Sequence, residues 1–195
     1  MTVIYAINVK NLPLADEFVK KVSKRRQEFI SRVKNESAKK LCLGAGLLLA
    51  KFVGTDEQTD KKGKPFVAKG PCFSVSHSHD IAILAVSENP IGADIELMDK
   101  TDISKLAKRS MTDGEFSFIM HSADSVKEFY RLWTKKESYV KMLGIGFEKM
   151  PENTDVLNVS EYNFYTAELE EYMLSICCSS NIEEKITFFE AGELF

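Results

Sequence analysis

The chain has 195 residues, 44% of them hydrophobic and 28% charged, which is enough to bury one substantial core or two small cores packed together. With 26 basic against 29 acidic residues and a net charge of -3, the molecule as a whole has no electrostatic attraction to nucleic acid or to an anionic membrane. Any polyanion that it binds must therefore meet a local basic patch.

The start of the chain and its cysteines predict a cytoplasmic protein. Residues 1–10 show no export signal, and the longest apolar run, Leu41 to Ala50, is too short to cross a bilayer. The four cysteines form no C-x-x-C pair, so we expect reduced, buried thiols in place of a zinc site or disulfides.

The first half of the chain combines strand and helix patterns. Its predicted elements are a strand at Thr2–Val9, a helical stretch at Leu14–Arg32 broken near Ser23, a buried helix at Asn35–Gly54, and strands at Phe73–Ser76, Ile81–Ser87 and Ile91–Leu97. The last two strands are separated by a short turn and are predicted to pair as a hairpin. The polar connection Thr55–Pro71 is long, and long connections are often functional. Five cations crowd residues 20–26, where a solvated face is the ordinary interpretation.

The second half repeats this mixture. We predict a short helix at Asp102–Arg109, a helix from Thr112 to about His121, a long helix at Phe129–Gly144, and strands at Val156–Val159, Tyr162–Leu169, Tyr172–Cys178 and Lys185–Phe189. The T-x-x-E sequence of Thr112 and Glu115 is a capping box. Helices and short antiparallel strands in both halves favour an α+β protein of two similar lobes.

The long helix carries a possible functional face. Trp133, Glu137 and Lys141 are four residues apart, so they lie on one side of the helix. Considered alone, this spacing is more typical of an amphipathic surface helix with a Glu and Lys pair. The earlier segment IGADIEL changes that balance, because its period of two places Asp94 and Glu96 together on one face of a strand.

Two strand carboxylates with a third acid nearby suit Mg²⁺, which takes a few carboxylates, waters and phosphate oxygens. The polar outer face of a sheet is the alternative. Just upstream, FSVSHSHD supplies hydroxyls and imidazoles that suit phosphate oxygens, whereas its two histidines alone are weak grounds for zinc. The combined set meets the requirements of Mg²⁺-assisted phosphoryl transfer.

These motifs resemble those of the 4'-phosphopantetheinyl transferases, specifically the larger single-chain type that activates surfactin synthetase. The resemblance runs from GKP at residues 63–65 through FSVSHSHD and NPIGADIE to RLWTKKESYVKMLGIGF at residues 131–147. It implies transfer of 4'-phosphopantetheine from coenzyme A to a serine of an apo acyl or peptidyl carrier protein, with release of adenosine 3',5'-bisphosphate.

The resemblance also implies residue roles. Mg²⁺ would be held by Asp94, Glu96 and Glu137; Glu137, directly or through water, or Glu115 would take the serine proton; Lys141 would steady the diphosphate. Contacts with coenzyme A are implied for Lys40, Lys64, Pro65, Ser76, His77, Lys136 and Lys141. The chain departs from the family pattern at His79, commonly a glycine, and at Lys40, often an arginine.

The fold implied by the resemblance is two α+β lobes related by a pseudo-twofold, residues 1–98 and 99–195, joined near Met98 to Asp102. Each lobe has a small antiparallel sheet packed with a long helix, and the chain is expected to be a monomer. Two other function classes remain open at this point. A Mg²⁺-dependent nuclease would want its E-x-K on a strand beside a basic groove, and a binding protein without turnover would not need all three acids and Lys141.

Overall fold

The computed structural model describes residues 2–99, 102–145 and 154–194. The strands within these ranges are β1 (Thr2–Asn8), β2 (Gln58–Thr59), β3 (Pro65–Phe66), β4 (Cys72–Ser78), β5 (Ile81–Ser87), β6 (Ile91–Leu97), β7 (Asn163–Leu169), β8 (Tyr172–Cys178) and β9 (Ile182–Phe189). The helices are α1 (Asp16–Val19), α2 (Lys24–Arg32), α3 (Glu36–Phe52), α4 (Ser104–Ser110), α5 (Asp113–Met120), α6 (Ser125–Leu143) and α7 (Ala191–Leu194).

The strands form two main sheets. One has four strands in the order β4-β5-β1-β9 and the other has three in the order β6-β8-β7, while β2 and β3 pair by themselves. The predicted α+β class is confirmed. We expected an antiparallel sheet, but the four-stranded sheet is mixed, because β9 pairs with the free edge of β1 in the parallel direction.

Two of the predicted strand features are wrong. Strands β5 and β6 do not form a hairpin, because β4 and β1 occupy the two edges of β5 and β6 pairs with β8 from Ile91 opposite Cys178 to Leu97 opposite Tyr172. Val156–Val159 is not a strand; Val156 is buried and donates its backbone N–H to Glu115. The end of the long motif, Gly146 and Phe147, lies outside the described residues.

Several predicted helix ends are confirmed, although α6 begins at Ser125, four residues before the predicted Phe129. Ser23 and Asn35 cap α2 and α3 with their side chains, and Thr112 and Glu115 make both bonds of a capping box at α5. Helix α6 ends at Gly144, whose φ of 63° is the left-handed conformation that glycine adopts without strain. Local sequence chemistry therefore fixes these helix ends, whereas α1 and α4 begin without a side-chain cap.

The apolar residues form layers. Helix α3 covers one face of the four-stranded sheet, whose other face packs on the three-stranded sheet through Ile4, Ile83, Ile95 and Ile176. Helix α6 covers the far face of the three-stranded sheet and packs closely on β6 and β8. None of the helices within the described ranges combines the length and the apolar content needed to cross a bilayer.

Sheet membership crosses the predicted boundary after Met98. Strand β6 precedes the boundary yet pairs with β8, and β9 follows it yet pairs with β1. Each half of the sequence thus contributes one strand to the sheet of the other half. The division into lobes 1–98 and 99–195 related by a pseudo-twofold stays a proposal.

Candidate active site

One face of α6 lines a large cavity. The helix brings Trp133, Glu137 and Lys141 to the wall of a space of about 900 Å³, as their spacing of four residues predicts. Strand β6 contributes Asp94 and Glu96 to the same wall, while its alternate residues Ile91, Ala93 and Ile95 face the core between the sheets. The carboxylates that the sequence singled out therefore meet in one place.

Gly92 makes this meeting possible. A Cβ atom built on Gly92 would lie 1.8 Å from the Ser138 carbonyl oxygen and 2.4 Å from the Met142 backbone nitrogen. The backbones of β6 and α6 are thus in direct contact, closer than any side chain permits. This contact brings Asp94 within hydrogen-bond distance of Lys141, which lies on the following turn of the helix.

A small polar network joins the two elements. The Lys141 ammonium donates to Asp94 Oδ1 at 2.6 Å and to Ser76 Oγ at 3.0 Å, and Ser76 Oγ donates to Asp94 Oδ1 at 2.9 Å. Ser78 Oγ donates to Glu96 Oε2 at 2.9 Å. These contacts hold both strand carboxylates in fixed orientations.

Serines of β4 also satisfy the outer edge of β6. The backbone N–H groups of Ala93 and Leu97 donate to the hydroxyls of Ser74 and Ser78, each at 3.0 Å. An unpaired strand edge inside a protein would leave such donors without partners. The alternate serines of FSVSHSHD therefore join the two sheets. From the sequence we predicted that these hydroxyls bind phosphate oxygens.

The carboxylates share an environment that favours an added cation. Asp94 Oδ2 and Glu137 Oε1 are buried and accept no hydrogen bond within the described part of the chain. Burial, and then the charge of Asp94, raises the pKa of Glu137 to about 7. The same two causes raise the pKa of Glu96. The charge of Asp94 disfavours ionisation of both Glu96 and Glu137, so a cation that neutralises this charge is favoured.

The donor set fits a hard divalent cation. Asp94, Glu96 and Glu137 offer only carboxylate oxygens, which Mg²⁺ prefers together with water and phosphate oxygens. Within the described residues, no three or more histidine, cysteine, aspartate or glutamate side chains are grouped so that they could hold a metal ion by themselves. These three residues would supply part of a coordination shell, and water and substrate would supply the rest.

Two further predicted residues, Pro65 and His77, line the cavity beside Ser76. His79, the departure from the family pattern, has a φ of 52°. That left-handed conformation explains why a glycine suits this position, and histidine tolerates it better than most residues. The two-residue turn between β4 and β5 still forms, with Ser78 paired opposite Ile81.

Glu115 and Lys136 lie elsewhere. Both side chains are fully buried, and the Lys136 ammonium is 2.6 Å from Glu115 Oε2. Glu115 also accepts the backbone N–H groups of Thr112 at 2.8 Å and Val156 at 2.9 Å. The pair joins α5, α6 and the segment after α6, outside the cavity wall described above.

Lys40 and Lys64 are not among the described residues that line this cavity, although Lys64 lines a smaller cavity with Pro65 and Lys141. The Lys40 ammonium donates to the Lys10 carbonyl at 3.1 Å and lies 3.3 Å from Glu36 Oε1. The Lys64 ammonium contacts backbone carbonyls at the end of α6, the shortest being Lys141 O at 2.5 Å. The structure thus brings together Asp94, Glu96, Glu137, Lys141, Ser76, His77 and Pro65, and places Lys40, Lys64, Glu115 and Lys136 in other contacts.

Helix α2 lines another part of the same cavity, although from the sequence we interpreted the cations of residues 20–26 as a solvated face. Arg25, Phe29 and Arg32 of α2 line the cavity, and Arg26 lies beside them. Arg26 makes a bidentate ion pair with the buried Glu57, at 2.8 and 2.9 Å. Arg25, whose side chain is 52% exposed, donates to the same carboxylate at 3.2 Å. The spacing of Arg25, Phe29 and Arg32 on one helical face was the available signal.

Known proteins match this chain along much of its length. A family model described as the 4'-phosphopantetheinyl transferase superfamily matches residues 90–184. The chain is 34% identical over 137 residues to the 4'-phosphopantetheinyl transferase gsp of Aneurinibacillus migulanus, covering 64% of this chain and 57% of that protein. It is 32% identical over 143 residues to the 4'-phosphopantetheinyl transferase HetI of a Nostoc strain, covering 65% of this chain and 60% of the relative.

A third relative is covered more fully. The 4'-phosphopantetheinyl transferase Sfp of Bacillus subtilis is 30% identical over 161 residues, which are 73% of this chain and 70% of Sfp. The chain thus spans less than two thirds of gsp and HetI and slightly more of Sfp. The resemblance seen in the motifs is confirmed, and the chain belongs to the 4'-phosphopantetheinyl transferase superfamily.

Proposed function

We propose that this protein transfers the 4'-phosphopantetheine group of coenzyme A to a serine of an apo acyl or peptidyl carrier protein and releases adenosine 3',5'-bisphosphate. The observation that carries the proposal is the meeting of Asp94, Glu96, Glu137 and Lys141 on the wall of one cavity, which the arginines of α2 also line. A diphosphate bound in this cavity would find carboxylates that can hold a metal and cationic side chains that can contact its oxygens.

The reaction exchanges one phosphorus to oxygen bond for another. The carrier serine oxygen forms a bond to the phosphorus that bears the pantetheine, and the bond from that phosphorus to the oxygen of adenosine bisphosphate breaks. The serine proton leaves to a base on the protein, directly or through a water. The adenosine bisphosphate departs with the electron pair of the broken bond.

Glu137 is the base that the contacts favour over Glu115. Glu137 Oε1 is without a hydrogen-bond partner in the described chain, so it can accept a proton directly or through a water. Both oxygens of Glu115 already accept hydrogen bonds, one of them from a buried ammonium. Glu115 is accordingly assigned a structural role.

Lys141 is placed to contact the diphosphate. Its ammonium lies at the cavity wall between Ser76 and Asp94, where it can exchange Asp94 for a phosphate oxygen as substrate enters. Mg²⁺, held by Asp94, Glu96 and Glu137, would neutralise the diphosphate and polarise the phosphorus. The same proposal includes contacts of Pro65, Ser76 and His77 with coenzyme A. It also includes a cytoplasmic location, a monomeric state and no binding to nucleic acid or membrane.

The nuclease alternative has less support. That class needs its E-x-K on a strand, whereas Glu137 and Lys141 lie on α6. A binding protein without turnover would have no use for a carboxylate with a pKa near neutrality beside a partly exposed ammonium.

The experiment is a panel of apo carrier proteins incubated with coenzyme A and Mg²⁺ and analysed by mass spectrometry. We expect at least one carrier to gain the mass of one phosphopantetheinyl group at its serine. Asp94→Asn and Glu137→Gln should each abolish the gain while circular dichroism shows a folded protein. Full transfer by either variant would mean that the site is assigned wrongly.

A further inference from the structure

Lys64 occupies an unusual position at the end of α6. Its ammonium donates to the carbonyl oxygens of Lys141 at 2.5 Å and Met142 at 3.3 Å, and lies 3.4 Å from that of Ile91. The first two carbonyls belong to the last turn of a helix, where carbonyls have no partner within the helix. The third belongs to the first residue of β6. One side chain thus joins the long polar connection to both elements that carry the site carboxylates.

The connection holds Lys64 firmly. Strands β2 and β3 pair on either side of a turn in which Asp60 Oδ1 accepts the backbone N–H groups of Lys62 at 2.8 Å and Lys64 at 2.9 Å. The Asp60 N–H donates in return to the Lys64 carbonyl at 2.9 Å. The backbone of Lys64 is therefore fixed, and only its side chain extends to α6.

The anchored turn is the one that carries Lys141. A cation at the C-terminal end of a helix interacts favourably with the helix dipole as well as with the free carbonyls. Gly144 closes the same end through a bond from its N–H to the Val140 carbonyl at 3.0 Å. If this turn frays, the Lys141 ammonium loses its defined position 2.6 Å from Asp94 Oδ1.

We propose that Lys64 is a positioning residue, which anchors the last turn of α6 so that Lys141 faces Asp94, and that it does not contact a phosphate of coenzyme A. Direct contact with phosphate, which the sequence resemblance implies, requires the ammonium to leave three carbonyls. The kinetic part of this inference rests on the proposed transferase function. The structural part does not.

The structural part is tested by hydrogen exchange. Lys64→Met removes the three contacts, and we expect amides of residues 140–143 to exchange at least tenfold faster while those of α3 are unchanged. Lys62→Met is the matched control, because Lys62 is exposed in the same turn and is bonded to Asp60 only through its backbone. Lys64→Arg keeps a cation at the carbonyls and should restore most of the protection. Equal protection in Lys64→Met and the wild type would overturn the anchoring role.

The kinetic part separates kcat from KM. In Lys64→Met we expect kcat to fall at least tenfold and KM for coenzyme A to change less than twofold, with Lys62→Met unaffected and Lys64→Arg largely restored. A raised KM with kcat retained would show that Lys64 binds phosphate, and unchanged kinetics would show that the anchor does not serve Lys141. If the wild type transfers nothing to any carrier, the proposed function fails, and the exchange experiment still decides whether Lys64 holds α6.

Discussion

The contact between β6 and α6 can be tested with a single added carbon. In Gly92→Ala the new Cβ would lie 1.8 Å from the Ser138 carbonyl oxygen. To reach 3.0 Å, below which real Cβ contacts essentially never occur, strand and helix must separate by at least about 1.2 Å. Both atoms that Cβ approaches most closely belong to the helix backbone, so no side-chain rotation relieves the clash.

The separation acts on the site directly. If the side chains did not follow, the 2.6 Å distance between Lys141 Nζ and Asp94 Oδ1 would grow to about 3.8 Å, beyond a hydrogen bond. A displacement of about 1 Å can lower a rate by roughly 100-fold. Overpacking a core costs about 1–3 kcal/mol, which for a protein of this size lowers Tm by roughly 2–12 °C. We therefore expect a folded protein with a much reduced kcat.

The assay measures kcat by mass spectrometry of the carrier product and Tm by circular dichroism. Gly114→Ala is the matched control, because its Cβ would meet only Thr112 Oγ1 at 4.0 Å. Within α5 the added methyl should leave kcat unchanged and raise the free energy of unfolding by up to about 1 kcal/mol. A Gly92→Ala protein with wild-type kcat and Tm would refute the close approach and the argument that it positions Asp94.

Four other predictions follow from the contacts described. Because the folded pKa of Glu137 is raised to about 7 from an ordinary value of 4.5, the folded protein retains a proton that the unfolded chain releases between those pH values. The free energy of unfolding should thus fall by about 3 kcal/mol as pH rises from 4.5 to 7; thermal unfolding in chelator should show this, and a Glu137→Gln protein with the same slope would contradict it. Lys136→Met leaves Glu115 charged and buried and should lower the free energy of unfolding by about 3–5 kcal/mol, whereas a change in Tm of less than 2 °C would argue against a buried ion pair. Mg²⁺ should raise the Tm of the wild type but not of Asp94→Asn, and an equal rise in both would place the ion elsewhere. His79→Gly relieves a left-handed φ and should raise the free energy of unfolding by about 1 kcal/mol, so a lowered denaturation midpoint would count against that strain.

Local signals predicted the helices well. The caps at Ser23, Asn35 and Thr112 depend on side chains within a few residues of the backbone that they bond, so sequence alone locates them. The pairing of strands, by contrast, cannot be predicted from such local signals. A short turn between β5 and β6 suggested a hairpin, but β6 pairs along its edge with β8, and that choice depends on residues far along the chain.

The same distinction applies to the site. The period of two in IGADIEL and the period of four in α6 indicated which carboxylates share a face, and the structure brings them to one cavity wall. No pattern predicted that Lys64 reaches helix carbonyls or that Lys136 is buried against Glu115. Such roles depend on which charged side chains the tertiary fold buries. The sequence around a lysine does not show whether its ammonium will be solvated or will form an ion pair.

The parallel pairing of β9 with β1 sets the order in which the molecule can mature. Because Ile182–Phe189 pairs in parallel with Thr2–Asn8, one edge of β1 stays unpaired during synthesis until β9 has been made. Unpaired strand edges can pair with strands of other chains and so lead to aggregation. Nascent or truncated forms lacking β9 should therefore depend on chaperones, and a split between residues 98 and 99 should yield two fragments that fold only when mixed.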